Sequence, residues 1–213
     1  VDSMVLLNVL YQLKTKLNLK LSAIHVHHGL SKNADNWGQV CFDECKKLGV
    51  DFSQKKINID NSEGIGIEAS ARKARYQILH QLSNEFLVTA HHQNDQAETL
   101  MLQLLRGSGL KGLASMPSYD EERHLWRPFL KLSRDIIEEY AKDNNIKFIE
   151  DESNKNIEFD RNFLRLEILP KLIERFPQTI KSLGRSADLV AEGLNLNKAI
   201  AKEDAKNYFS EDF

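Results

Sequence analysis

The sequence predicts an α/β fold, a doubly wound and mostly parallel sheet followed by a helical segment, and three observations carry that prediction. Short apolar runs, residues 21–26 and 86–90, are too brief for helices and read as buried strands. Amphipathic stretches alternate with them, the pattern of helices laid on both faces of a parallel sheet. Beyond residue 160 the apolar spacing is helical, interrupted only at Pro170 and Pro177.

Taken in order, Met4, Val5, Leu6, Leu7, Val9, Leu10, Leu13 and Leu17 predict a first helix with a wide apolar face. Leu21 to Val26 is a strand closed by the turn signal His28-Gly29. Asn36 to Leu48 is a helix striped by Trp37, Val40, Cys41, Cys45 and Leu48, with Gly49 as its C-terminal cap. Val50 starts a strand reaching about Ile59, and Ile67, Ala71, Ala74, Ile78 and Leu82 trace the next helix face. Phe86 to Ala90 is a buried strand that hands over to a strong helix from about Asp95 to Arg106. Trp126-Arg-Pro-Phe-Leu turns the chain into a helix that Ser133 caps and Asp135 supports in its first turn. Two units are expected, a catalytic domain at 1–155 and a helical linker or start of a second domain at 156–213.

Composition narrows the function classes. The chain has 213 residues, 41% hydrophobic and 28% charged, with ten glycines and four prolines, which excludes fibrous and low-complexity proteins. No apolar run reaches the roughly 20 residues of a membrane span, and Val1-Asp-Ser-Met lacks the basic start of a signal peptide. The missing initiator methionine leads us to expect that the sequence starts inside a longer protein. Cys41 and Cys45, the two cysteines, are expected to be ordinary thiols of a cytoplasmic protein. A formal charge of −2 gives no global nucleic-acid footprint, yet residues 155–185 hold seven Lys/Arg against four Asp/Glu.

Chemistry concentrates where strands end, the usual place for sites in such sheets. His91-His-Gln-Asn-Asp-Gln-Ala-Glu-Thr99 lies at one strand end, with Asp95, Glu98 and Thr99 sharing a helix face. Carboxylates there either complement the helix start or, with His91, His92 and Asn94, form an active site. His25, His27 and His28 are better suited to hydrogen-bond a nucleotide than to ligate zinc, which needs four convergent ligands. Glu68, Arg72 and Arg75 form either a solvated stripe or a phosphate-binding one. Arg106-Gly-Ser-Gly109 follows a helix, so its glycines read as helix caps as readily as a phosphate loop.

As a set, these segments resemble the tRNA(Ile)-lysidine synthase family of PP-loop ATP pyrophosphatases, whose fold is adenine nucleotide alpha hydrolase-like. The matching pieces are Val1-Asp-Ser3, His27-His-Gly-Leu-Ser31, Gly66 to Tyr76, Thr89 to Thr99, Arg106-Gly-Ser-Gly109, Arg127-Pro, Glu150 to Asn154 and Asp160-Arg-Asn-Phe-Leu-Arg165. They occur in family order up to about residue 190. The family's Ser-Gly-Gly-x-Asp-Ser loop is represented only by its last three positions. Asn94 stands where many members carry Asp.

The resemblance implies an ATP-dependent carbon–nitrogen ligase. ATP with Mg²⁺ adenylates C2 of the wobble cytidine in the CAU-anticodon isoleucine tRNA, and free L-lysine then displaces AMP. It implies Asp2, Asp95, Glu98 and His92 as catalytic, and Asp2 and Asp95 as metal ligands. Val1, Asp2, Ser3, His27, His28 and Arg72 fall to the nucleotide. Arg72, Arg75, Arg106, Arg161 and Arg165 fall to the RNA, the last two serving either the tRNA or the junction between two domains. Family members can be homodimeric, and no membrane partner is implied. The alternatives are a PP-loop tRNA thiolase, whose relatives commonly use Cys-x-x-Cys pairs, and a nucleotide-binding domain without catalysis.

Overall fold

The computed structural model describes residues 1–27, 34–57, 70, 74–79, 86–148 and 152–209. Helix α1 (Asp2–Leu13) starts directly behind Val1, whose carbonyl accepts from the N–H groups of Met4 and Val5. Its buried Val5 and Leu6 meet Phe129, Ile137 and Ala141, so α1 packs on α6 (Arg134–Asp143). Each such aliphatic side chain removed from water contributes about 1.5–3 kcal/mol. The Tyr140 hydroxyl donates to Asn8 Oδ1 at 3.0 Å and fixes the two helices in register.

Strand β1 (Ser22–His27) leads through α2 (Ala34–Leu48) to β2 (Asp51–Lys56), and the strands pair in parallel from Ser22↔Asp51 to His27↔Lys56. The predicted cap is present. Gly49 adopts φ +61°, and its N–H reaches Lys46 O while that of Val50 reaches Cys45 O, the paired bonds of a Schellman ending. Residues 74–79 form the described part of the next helix, α3. Most of the stripe predicted there, with Glu68 and Arg72, lies outside the described residues.

Strand β3 (Leu87–Val88) runs parallel to β5 (Leu125–Trp126), and β4 (Tyr119–Asp120) adds antiparallel to β5. The sequence reading missed β4 and β5, which are two residues each and joined across the charged turn Glu121-Glu-Arg-His124. β3 is also shorter than predicted, with Phe86 exposed outside the ladder. Leu79, Leu87 and Leu125 form one core with Ile24, Val26 and Tyr76, which ties β1 and α3 to the second sheet.

After β3, α4 (Gln93–Leu105) runs to Arg106 and Gly107. Gly107 has φ +66°, and bonds from Gly107 N to Leu104 O and from Ser108 N to Gln103 O close a second Schellman ending. The glycines of 107–109 therefore end α4 and start the short α5 (Leu110–Leu113), whose N-cap is Gly109. The helical segment comprises α7 (Asp160–Phe163), a π-helical turn (Leu164–Ile168), α8 (Leu169–Arg175) and α9 (Thr179–Phe209). Pro170 does not break this segment as predicted. It sits in the first turn of α8, just after the wide turn, where its missing N–H costs little. Small residues Gly184 and Ala187, both buried, let α9 lie close along α4.

Candidate functional site

The first turns of two helices meet at the carboxyl end of β3. α4 begins earlier than predicted because His92, and not a side chain nearer Asp95, is its N-cap. His92 Nδ1 accepts from Asp95 N at 3.4 Å, and Asp95 Oδ2 accepts from His92 N at 2.9 Å, a reciprocal capping box. With Nδ1 used as acceptor, the ring proton belongs on Nε2. That nitrogen lies 3.7 Å from Asp2 Oδ2 and 3.5 Å from Asp95 Oδ2, and the ring is 2% exposed. Asp2, His92 and Asp95 thus form a row joining the start of α1 to the start of α4.

Both carboxyls are held ionised. Burial works to raise the Asp2 pKa, but the hydrogen bond and electrostatic attraction of His92, with the Arg134 cation, outweigh it and leave the group below its ordinary range. For Asp95, burial is again opposed, here by His92, Arg161, the His92 backbone N–H and His91, and the balance lies below the ordinary value. Asp2 Oδ1 is buried without a hydrogen-bond partner among the described residues.

Below this row lies a four-membered charge cluster. Glu98, 1% exposed, accepts from Arg165 Nε at 2.7 Å on one oxygen, and from Arg161 Nε at 2.6 Å and Arg165 Nη2 at 2.9 Å on the other. Asp95 Oδ1 takes Arg161 Nη2 at 2.9 Å and Arg165 Nη2 at 3.3 Å. The structure brings Arg161 and Arg165 to the junction of the helical segment with α4, because a buried carboxylate pair needs two cations to offset its desolvation. Burial lowers and the Glu98 and Asp95 carboxylates raise the Arg165 pKa, leaving it above its ordinary value. Glu98 thus has both oxygens occupied, and so has Asp95.

Other predicted residues fall nearby or elsewhere. Val1 and exposed Ser3 flank Asp2 at the start of α1. His27, buried, ends β1. His28, Arg72, Glu150 and Asp151 lie outside the described residues. Arg75 stacks 5.5 Å from the Tyr76 ring centre, and exposed Arg106 faces Asp160 at 3.5 Å. The Thr99 hydroxyl donates back to Asp95 O at 2.7 Å. Cys45 is a core thiol, its pKa pushed up to about 11 by burial and by Cys41 and Glu44.

Two contacts escaped the sequence reading. Asn94 Oδ1 accepts from Arg134 N at 3.2 Å and caps α6, a role expected of Ser133, whose side chain makes no capping bond. Gln96, 3% exposed, spends its amide on both the N–H and C=O of Met116. Only the residue types, amides at a helix start, hinted at either.

Residues 1–172 match the family model described as PP-loop domain. Among curated relatives, tRNA(Ile)-lysidine synthase of Actinobacillus pleuropneumoniae serotype 3 is 44% identical over 99% of this chain and 50% of its own length. That of Histophilus somni strain 129Pt is 47% identical over 97% and 49%, and that of Proteus mirabilis 46% over 90% and 45%. The chain spans about half the length of the curated relatives it matches. The solved U34-tRNA thiolase NcsA from Methanococcus maripaludis, with its 4Fe-4S cluster, shares 19% identity and the same fold, at a TM-score of 0.75 over 90% of this chain and 68% of that one.

Proposed function

The chain belongs to the PP-loop domain family, and on that premise we propose that it is the catalytic part of a tRNA(Ile)-lysidine synthase. The observation that carries the proposal is the row Asp2–His92–Asp95 at two adjoining helix starts. Residues 1–155 carry the chemistry in this reading, and residues 156–213 buttress it through Arg161 and Arg165.

The C2 oxygen of the wobble cytidine attacks the α-phosphorus of ATP, and the bond to the β-phosphate breaks to release pyrophosphate. The ε-amine of free lysine then attacks C2, the C2–O bond breaks, AMP leaves, and the amine proton passes to a base. Backbone N–H groups of residues 1–3 with Ser3 receive phosphate oxygens, since a helix start favours anions. His27, at the end of β1, is assigned to the nucleoside end, with His28 and Arg72 carried over from the sequence reading.

The residues fit a magnesium ion held mainly by phosphates. Asp2 Oδ1 is a buried hard oxygen without a hydrogen-bond partner among the described residues, and Mg²⁺ characteristically uses one or two carboxylates besides phosphates and water. Asp95 was expected as a second ligand, but His92 and both arginines occupy its oxygens. Bound there, Mg²⁺ would offset phosphate charge. Asp95, ionised and more exposed than His92, is assigned to attract the lysine ammonium by its charge, with His92 holding it in place, and the amine proton is assigned to pass to water. Glu98 acts as a positioning residue through Arg161 and Arg165.

Two features weigh against the thiolase alternative. Cys41 and Cys45 have the wrong spacing for a Cys-x-x-Cys pair, and both thiols have raised pKa values on α2, which packs on β1 and β2. The test supplies the protein in its complete natural form with ATP, Mg²⁺, radiolabelled lysine and the CAU-anticodon isoleucine tRNA. Incorporation into this tRNA, and none into a transcript with uridine at the wobble position, is the expected result. ATP binding without incorporation would move the assignment to a nucleotide-binding domain without this chemistry.

A further inference from the structure

On the face of α4 opposite Asp95 and Glu98 there is a half-open cavity of about 250 Å³, lined by Gln93, Gln96, Lys131, Lys181, Arg185 and Asp188 among others. Three cations surround it against one carboxylate, and that carboxylate, Asp188, sits 3.5 Å from Lys131 Nζ. Lys181 and Arg185 are four apart on α9, so they share a helix face and repel each other. Such an arrangement is favoured when an anion lies between them. The Gln96 amide is committed to Met116, whereas the Gln93 side chain borders Gly184 of α9.

We propose that this cavity is an RNA-backbone site, with Lys181, Arg185 and Lys131 holding phosphates of the bound tRNA. The inference rests on the proposed lysidine chemistry and adds a contact surface to it. Arg161 and Arg165 were expected to serve either the tRNA or the junction between two domains, and both guanidinium groups are engaged by Asp95 and Glu98 at that junction. Lys181 and Arg185 of α9 are exposed and line the cavity. An α-helix is about 10–12 Å across with its side chains, so RNA anchored on this face of α4 lies one helix width from the Asp95 site. That suits a strand running from a backbone anchor to a base turned into the site. The hollow is below the roughly 300–1,000 Å³ of a drug-sized pocket and suits a phosphate group with part of its sugar.

The test titrates labelled CAU-anticodon isoleucine tRNA into the complete protein at several salt concentrations, followed by fluorescence anisotropy. Lys181→Ala with Arg185→Ala should weaken binding about tenfold and reduce the log–log salt slope by about 1–2, one unit for each lost phosphate contact. The charge-conserving pair Lys181→Arg and Arg185→Lys should keep the wild-type slope, which separates charge from folding. Asp188→Asn should tighten binding about twofold to threefold, and ATP affinity should stay unchanged in all variants. An alanine pair with wild-type affinity and slope would overturn the site. So would unchanged RNA binding with an altered oligomeric state, which would make the cavity a protein interface. Wild-type protein that does not bind this tRNA would overturn the lysidine reading and this site together, an outcome distinct from failure of the site alone.

Discussion

Replacing Glu98 by glutamine tests how the helical segment is held to α4. Glu98 is 1% exposed and receives three charge-assisted hydrogen bonds of 2.6–2.9 Å from two guanidinium groups. Glutamine keeps the shape but offers one acceptor oxygen and turns an amide N–H₂ toward an arginine donor. Removing one partner of a buried ion pair costs about 3–5 kcal/mol, and the retained oxygen puts this change near 3 kcal/mol. At about 2–4 °C per kcal/mol for a chain of this size, the melting temperature should fall by about 6–12 °C. Thermal unfolding by circular dichroism, paired with urea titration, reads both quantities. The cluster also predicts strong non-additivity. Glu98→Met combined with Arg161→Met and Arg165→Leu should lose less stability than the sum of the single changes, because the most buried carboxylate leaves together with its two cations and only the less buried Asp95 loses partners. A Glu98→Gln protein within 0.5 kcal/mol of wild type, or single effects that simply add, would refute the reasoning.

Three further outcomes follow from the same geometry. The Asp95 carboxyl has its folded-state pKa below the ordinary 3.8, so its stabilisation is complete above 3.8 and is lost as pH falls through the lower folded value. The urea midpoint should therefore drop in that acid range, and Asp95→Asn should flatten the drop. Gly107→Ala, at φ +66°, should cost about 1 kcal/mol or slightly more in urea unfolding yet leave ATP affinity unchanged; lost ATP binding would make 106–109 a phosphate loop after all. Cys45, with its pKa near 11, should resist iodoacetamide near neutral pH until the protein unfolds, and rapid native-state alkylation followed by mass spectrometry would contradict its burial.

The parts of the fold legible in the sequence are those fixed by local pattern. Gly49 and Gly107 end helices because only a residue free of a Cβ enters φ near +60° without strain, and a glycine after an apolar periodic run signals that position. The strand-then-helix handover at 86–95 was equally legible, and it brought His92, Asp95 and Glu98 to one strand end. What escaped depends on residues distant in the chain. Histidine is not a favoured N-cap, so α4 was predicted to start at Asp95, until the ring and the Asp95 carboxylate are seen to cap each other. Asn94 caps a helix 40 positions away, and Arg161 and Arg165 find Glu98 63 and 67 positions away. No periodicity in the sequence encodes such pairings. The π-helical turn at Leu164–Ile168, which carries Arg165, likewise has no counterpart in the apolar spacing read from the sequence.

In the proposed reaction Asp2 acts on the phosphates during adenylation, beside His92 and Asp95, and pyrophosphate release with lysine left out measures that step alone. The complete protein should release pyrophosphate from ATP only when the CAU-anticodon tRNA is present, leaving an adenylated tRNA. Asp2→Asn should reduce that release at least a hundredfold, in line with losing a group that acts on the phosphates, while melting close to wild type. Release at the wild-type rate by Asp2→Asn, or release independent of the tRNA, would contradict the account.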